Sequence, residues 1–322
     1  MQRELALEFV RVTEAAAIAA ARFMGKGDKN GADGAAVEAM REAFNTVNID
    51  GIVVIGEGEM DEAPMLFIGE RVGAGGGTMV DIAVDPVEGT TLVAKGLPNS
   101  IAVMAIAKRG TLLHAPDMYM DKIAVGPLAK GRIDITKSVT ENVLNVAKAL
   151  GREPEQMTIV ILDRPRHEKI IEEVRQTGAR VKLISDGDVS PAISAAIEGT
   201  GVHMLIGIGG APEGVIAAVA LKCLDGDMQA RLYPENEEEI ERAKKMGIAD
   251  ITKVLTLDDL VKSDDVLFAA TAITDGDMLQ GVNFFPGGAR TRSIVMRSKT
   301  GTVRFVDAVH KLDKKPLFVK RL

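Results

Sequence analysis

The stretch TIVILDRPRHEKIIEEVRQTGARVKLI, residues 158–184, decides the fold. Thr158–Leu162 is an apolar run of strand length, residues 165–177 read as a helix, and Arg180–Ile184 reads as a second strand. The alternation continues with a helix expected over Ser190–Glu198 and a strand over Val202–Ile208. This βαβαβ order predicts a parallel sheet with helices on its faces. Ligands of such sheets gather at the carboxyl ends of the strands. Those ends carry Arg164, Pro165 and Arg166, then Asp186, Gly187 and Asp188, then GGAPEG at 209–214.

Upstream, the pattern is different. Leu5, Phe9, Val12 and Ala16 predict an amphipathic helix over 3–23, and Asp33 stands where an N-cap would open a helix through Val37, Met40 and Phe44. Ile52–Ile55 reads as a buried strand ending in GEGEMDEAP, with Glu57, Glu59, Asp61 and Glu62 close together. The run VDIAVDPVEGTT, 80–91, reads as a strand that breaks at Asp85 and Pro86 and turns through Gly89. Ser100–Lys108 and Leu112–His114 suggest an antiparallel hairpin, followed by a strand over Lys122–Val125. A charged helix over 235–246 and strands at Val266–Ala270, Arg290–Met296 and Thr302–Val306 complete the chain. The expected class is α/β, with an α+β N-terminal half. A boundary near residue 155 would divide a metal-site domain, 1–155, from an α/β domain, 156–322, that completes the site.

Composition excludes several functions. The 322 residues are 46% hydrophobic and 26% charged, enough for a sizeable core and two domains. A net charge of -7 and only 3% aromatic residues oppose binding to nucleic acid or to anionic membranes. No stretch approaches the length of a membrane span, and the single cysteine, Cys223, reads as a small buried hydrophobe in a reducing cytoplasm.

The acidic residues carry the chemistry. Asp33, Glu57, Asp85, Glu88 and Glu213 all fall at expected element ends beside glycine or proline. Most have a bland alternative: Asp33 could cap a helix, Asp85 and Glu88 could belong to an acidic surface turn, and Glu213 could complement the helix dipole after Pro212. Together they could share a pocket only if cations compensated them, and oxygen-only ligands point to Mg²⁺ or Mn²⁺ rather than Zn²⁺. Arg164 and Arg166, with Tyr119, would suit a phosphate held away from the metals. The residues alone therefore predict metal-dependent phosphoryl transfer or hydrolysis on an anionic sugar. GIGGAPEG, 207–214, lacks the third glycine of a dinucleotide loop, and the DGD triplets at 186, 225 and 275 lack the rest of a calcium loop.

GDKN with ADGAAV, IGEGEMDEAPM, VDIAVDPVEGTT, HAPDMYM, PRH, DGDV and GIGGAPEG together resemble the class II fructose-1,6-bisphosphatase family, in order and over nearly the whole chain. DPVEGT is also similar to the looser DPxDGT signature of the lithium-sensitive phosphatase superfamily. The resemblance implies a layered αβαβα sugar-phosphatase fold and hydrolysis of the 1-phosphate of fructose 1,6-bisphosphate in gluconeogenesis, by water activated between two metals. It implies metal ligation by Asp33 and Glu57 at one site and by Asp85, Glu88 and Glu213 at the other. It places Glu88, Gly89 and Thr90 at the scissile phosphate, Tyr119, Arg164, Pro165 and Arg166 at the distal phosphate, and Asp186, Gly187, Asp188 and Gly210 at the sugar. Thr90, hydrogen-bonded to a carboxylate such as Asp33, would orient the attacking water, with Asp61 and Lys29 supporting it. A sedoheptulose 1,7-bisphosphatase and, more distantly, a nucleotide-binding regulatory module are the competing readings. Composition and resemblance both favour a dimer or tetramer.

Overall fold

The computed structural model describes residues 4–58 and 65–316. Its fold is α/β, and its described residues divide into two compact units, Met1–Leu112 with Ser263–Leu322, and Leu113–Lys262. The expected boundary near 155 therefore falls inside the second unit. The reason is pairing: a strand at Tyr119–Val125 is hydrogen-bonded between strands Met204–Gly210 and Asp227–Tyr233, which ties residues before 155 to those far beyond it.

The first unit begins with α1 (Leu5–Ala21) and α2 (Lys29–Phe44). Asp28, not Asp33, caps α2: its backbone is extended and its carboxylate accepts from the Gly31 amide at 2.8 Å. Asp33 thus lies within the helix, and the capping explanation for it fails. There follow β1 (Ile49–Ile55), β2 (Arg71–Val72), β3 (Thr78–Glu88), the short α3 (Thr90–Lys95) and β4 (Ile101–Lys108). β3 does not break at Asp85. It runs on to Glu88 through a bulge opposite β4, which accommodates Pro86 and its missing N–H. Only then does Gly89, at φ 82°, turn the chain into α3.

The second unit contains β5 (Tyr119–Val125), α4 (Val139–Ala149), β6 (Thr158–Leu162), α5 (Glu168–Gln176), β7 (Arg180–Ile184), α6 (Val189–Ser194), β8 (Met204–Gly210), α7 (Ala211–Cys223), β9 (Asp227–Tyr233), α8 (Glu237–Lys245), β10 (Leu255–Thr256) and α9 (Leu257–Leu260). A 3₁₀ turn, Pro165–His167, precedes α5. Its strands are ordered β10-β9-β5-β8-β6-β7. The parallel pairs expected from βαβαβ are β6–β7 and β6–β8, while β5 and β9 add antiparallel neighbours. Val143, Val146, Ile171 and Val174 of α4 and α5 pack on one face, against Ile123, Ile159, Ile161 and Ile206. α7 is apolar nearly all round and is buried; its Gly214 sits over the other face, beside Met120 and Lys122.

The chain then returns to the first unit through β11 (Leu267–Ala272), β12 (Asn283–Phe285), β13 (Gly288–Arg297) and β14 (Thr302–Lys311). Its sheet is ordered β12-β13-β11-β4-β3-β1-β2, with β14 also paired to β13. β4 therefore pairs with β3 and β11, not with residues 112–114 as the hairpin reading required. Phe9, Ile18, Met40 and Phe44 bury against Ile82, Met104, Ile106 and Ala269, so α1 and α2 cover one face. Phe9 and Phe44 are wholly buried, and each contributes about 2–3 kcal/mol of apolar burial.

Candidate functional site

In the first unit, four of the expected ligands come from three sheet or helix segments. Asp33 is half-buried in the second turn of α2, and burial pushes its carboxyl above the ordinary range. Glu57 follows the end of β1. Burial first, then the negative charge of Asp33, pushes its carboxyl up to about 8, so the two acids lie in one another's field. Gly56 permits this turn, because a Cβ there would lie 2.0 Å from the Leu66 carbonyl oxygen. Asp85 sits at the bulge and accepts from the Val87 amide at 3.0 Å. Glu88 is buried at the end of β3, and its carbonyl accepts from the Ser100 hydroxyl at 2.8 Å.

Gly89 and Thr90 follow directly at the start of α3. Lys29, the first residue of α2, donates to the Thr91 hydroxyl at 2.8 Å. Among the described residues no hydrogen bond joins Thr90 to Asp33. Asp61, with Glu59 and Glu62, lies outside the described residues.

The donor set suits a hard divalent cation. It consists of carboxylates, and Asp33 with Glu57 form a half-buried like-charge pair that a cation would relieve. Among the described residues no group of three or more acid, histidine or cysteine side chains is already gathered as a metal cage.

In the second unit the structure gathers Tyr119, Arg166, Asp188, Gly210 and Glu213. Tyr119, opening β5, is in register with Gly210, closing β8. The Arg166 guanidinium stacks over the Tyr119 ring at 4.2 Å, and its Nη2 donates to the Ile208 carbonyl at 3.0 Å. Its buried Nε has no hydrogen-bond partner among the described residues. A half-buried guanidinium so held presents a donor suited to an anion. Arg164 is not drawn in the same way; its Nη1 donates to the carbonyl of Asp163. Pro165 opens the 3₁₀ turn, and Asp186 and Gly187 follow β7, with Gly187 at φ 73°.

Two neighbouring residues went unnoticed in the sequence reading. Lys122 is 1% exposed; its ammonium lies 2.8 Å from Asp188 Oδ2 and donates to the Gly210 carbonyl at 2.8 Å. Glu213 is pushed up by burial, an effect that Lys122 opposes and that Asp188 and Asp117 reinforce. The glycines here are needed for room: a Cβ on Gly209 would lie 1.9 Å from Asp188 Oδ2, and one on Gly210 would lie 1.9 Å from Glu213 Oε2. The signal for Lys122 was a lone lysine inside a strand that faces successive glycines. The second is His167, wholly buried between β6 and β8. His203 accepts from the Thr158 amide at 3.0 Å, and Cys223 is buried as expected.

Residues 3–310 match the family described as bacterial fructose-1,6-bisphosphatase, glpX-encoded. The chain is 50% identical to fructose-1,6-bisphosphatase 1 class 2 of Escherichia coli K12, over 98% of this chain and 97% of that relative. Identity and coverage are the same for the class 2 fructose-1,6-bisphosphatase of Shigella flexneri. Among the described residues no helix is long and apolar enough to cross a membrane.

Proposed function

Because the chain belongs to the family of glpX-encoded bacterial fructose-1,6-bisphosphatases, we propose that it hydrolyses the 1-phosphate of fructose 1,6-bisphosphate, giving fructose 6-phosphate and phosphate. Family membership implies dependence on a divalent cation. Oxygen-only donors favour Mg²⁺ or Mn²⁺, which would be held by Asp33, Glu57, Asp85, Glu88 and Glu213. Such a cation, when bound, supplies Lewis acidity toward phosphoryl oxygens and lowers the pKa of water.

The chain's own residues do the rest. Glu88, Gly89 and Thr90 receive the scissile phosphate, and the Thr90 hydroxyl orients water for in-line attack; Lys29 holds that segment through the Thr91 hydroxyl, and Asp61 is assigned a supporting role. Tyr119, Arg164, Pro165 and Arg166 take the distal phosphate, while Asp186, Gly187, Asp188 and Gly210 orient the sugar. The observation that carries the bisphosphate reading is Arg166, fixed on the Tyr119 ring and the Ile208 carbonyl with a buried Nε to offer. An enzyme for monophosphates would have no use for that donor. The protein acts in the cytoplasm, as a dimer or tetramer, on the gluconeogenic side of sugar metabolism.

A substrate panel tests this reading. Turnover should be fastest on fructose 1,6-bisphosphate, and comparable rates on sedoheptulose 1,7-bisphosphate would extend it to dual specificity. A preference for inositol 1-phosphate would refute it. Thr90→Ala should lower kcat while leaving cation affinity nearly unchanged; full activity would remove Thr90 from this role.

A further inference from the structure

The parallel pairing of β6 with β8 is confined to Ile159–Met204 and Val160–Leu205, although β6 continues to Leu162 and β8 to Gly210. The His167 ring bridges the two strands beyond that point. Its Nδ1 lies 2.7 Å from the Leu162 carbonyl, and its Nε2 accepts the Ile208 amide hydrogen at 2.8 Å. These two partners fix the tautomer. The Ile208 N–H can only donate, so Nε2 carries no proton, and Nδ1–H donates to Leu162. Burial holds the ring below the ordinary histidine range, in keeping with a neutral imidazole. Gly207 gives it space: at φ 135°, its Cβ would stand 3.2–3.5 Å from the ring atoms.

Ile208 is thereby gripped twice by one turn of chain. His167 takes its N–H, and Arg166, the preceding residue, donates to its C=O. We infer that His167 is a positioning residue, a wedge that sets the gap between the carboxyl ends of β6 and β8 and so fixes the Arg166 guanidinium against Tyr119 for a substrate's distal phosphate. It does not touch substrate; it acts through Arg166 and the β8 end that leads to Gly210. The inference rests on the reading of Arg166 as the seat of that phosphate.

The test is steady-state kinetics of His167→Ala, His167→Gln and Arg166→Ala on fructose 1,6-bisphosphate and on fructose 1-phosphate, which lacks the distal phosphate. His167→Ala should raise KM for the bisphosphate about fivefold to tenfold with kcat little changed, and should hardly alter kcat/KM for the monophosphate. His167→Gln keeps an acceptor for the Ile208 amide and should recover part of the loss. Should His167→Ala fail to fold, the Gln variant carries the same KM-only signature in smaller measure. Equal losses on both substrates would reduce His167 to a core residue and overturn the proposal. If Arg166→Ala raises KM and neither His167 variant does, His167 alone loses its role. If Arg166→Ala also leaves KM unchanged, the distal-phosphate reading falls and the His167 proposal falls with it.

Discussion

Replacing Lys122 by methionine keeps the length and apolar stem of the side chain but removes an ammonium that is 1% exposed. Asp188, 5% exposed and 2.8 Å away, then keeps its charge without its partner, and the Gly210 carbonyl loses a donor. Removing one member of a buried pair costs about 3–5 kcal/mol, mostly because the other charge remains desolvated. The two tyrosines, Tyr119 and Tyr233, both lie in Leu113–Lys262, and the chain has no tryptophan, so tyrosine fluorescence follows this unit alone during urea unfolding. Lys122→Met should lower its unfolding free energy by about 3–5 kcal/mol. Adding Asp188→Asn, which removes the stranded charge and keeps the shape, should return much of that and leave a deficit of about 1–2 kcal/mol. A single variant within about 1 kcal/mol of wild type, or a double variant no better than the single, would refute the view that Lys122 stabilises by neutralising Asp188.

Three further outcomes follow from other parts of the chain. Asp28→Ala should cost about 0.5–2 kcal/mol by uncapping α2, whereas Asp33→Ala should cost little stability yet abolish activity; thermal unfolding and phosphate release separate the two. Gly210→Ala should lower activity at least about tenfold with little change in stability, because its backbone at φ -64° accepts a side chain while the new Cβ displaces the flexible Glu213 carboxyl. In the first unit, Thr291 donates to Glu14 at 3.1 Å and lies 2.8 Å from His310 Nε2. Glu14 and His310, 3.7 Å apart, would be an ion pair if both were charged, but burial pushes Glu14 up and His310 down to about 4, toward the neutral forms. A depressed histidine pKa means that the unfolded chain binds the proton first, so its stabilisation holds above about 6.5 and is lost as pH falls toward about 4. The raised Glu14 works in the opposite sense. In a Glu14→Gln background, urea unfolding should therefore lose up to about 3 kcal/mol across that window, and a further His310→Asn change should flatten the profile.

Local periodicity made much of the fold legible. β6 begins and ends where the apolar run of 158–162 does, because it is a short, buried strand, and the half-exposed edge strand β7 keeps the bounds 180–184 expected for it. Pro212 marked the first turn of α7 in the same way. Long-range pairing was not legible. The 119–125 segment gives no local sign that it belongs between β8 and β9, and the boundary at 155 failed for that reason. Pro86 reads as a strand breaker until a bulge absorbs it. Asp33 reads as the cap on paper, and only the extended backbone at 28 moves the helix start to Asp28. At the candidate site, Arg166 and Tyr119 could be named from type and motif. Lys122 and His167 could not, since their roles depend on burial and on partners far along the chain, Asp188 and Gly210 for Lys122 and Ile208 for His167.

The most direct test of the central claim is product analysis with metal-stripped protein and fructose 1,6-bisphosphate, before and after Mg²⁺ or Mn²⁺ is restored. The account predicts no phosphate release without the cation and, with it, one phosphate for each fructose 6-phosphate formed. Release that does not depend on either cation, or fructose 1-phosphate as the product, would contradict it.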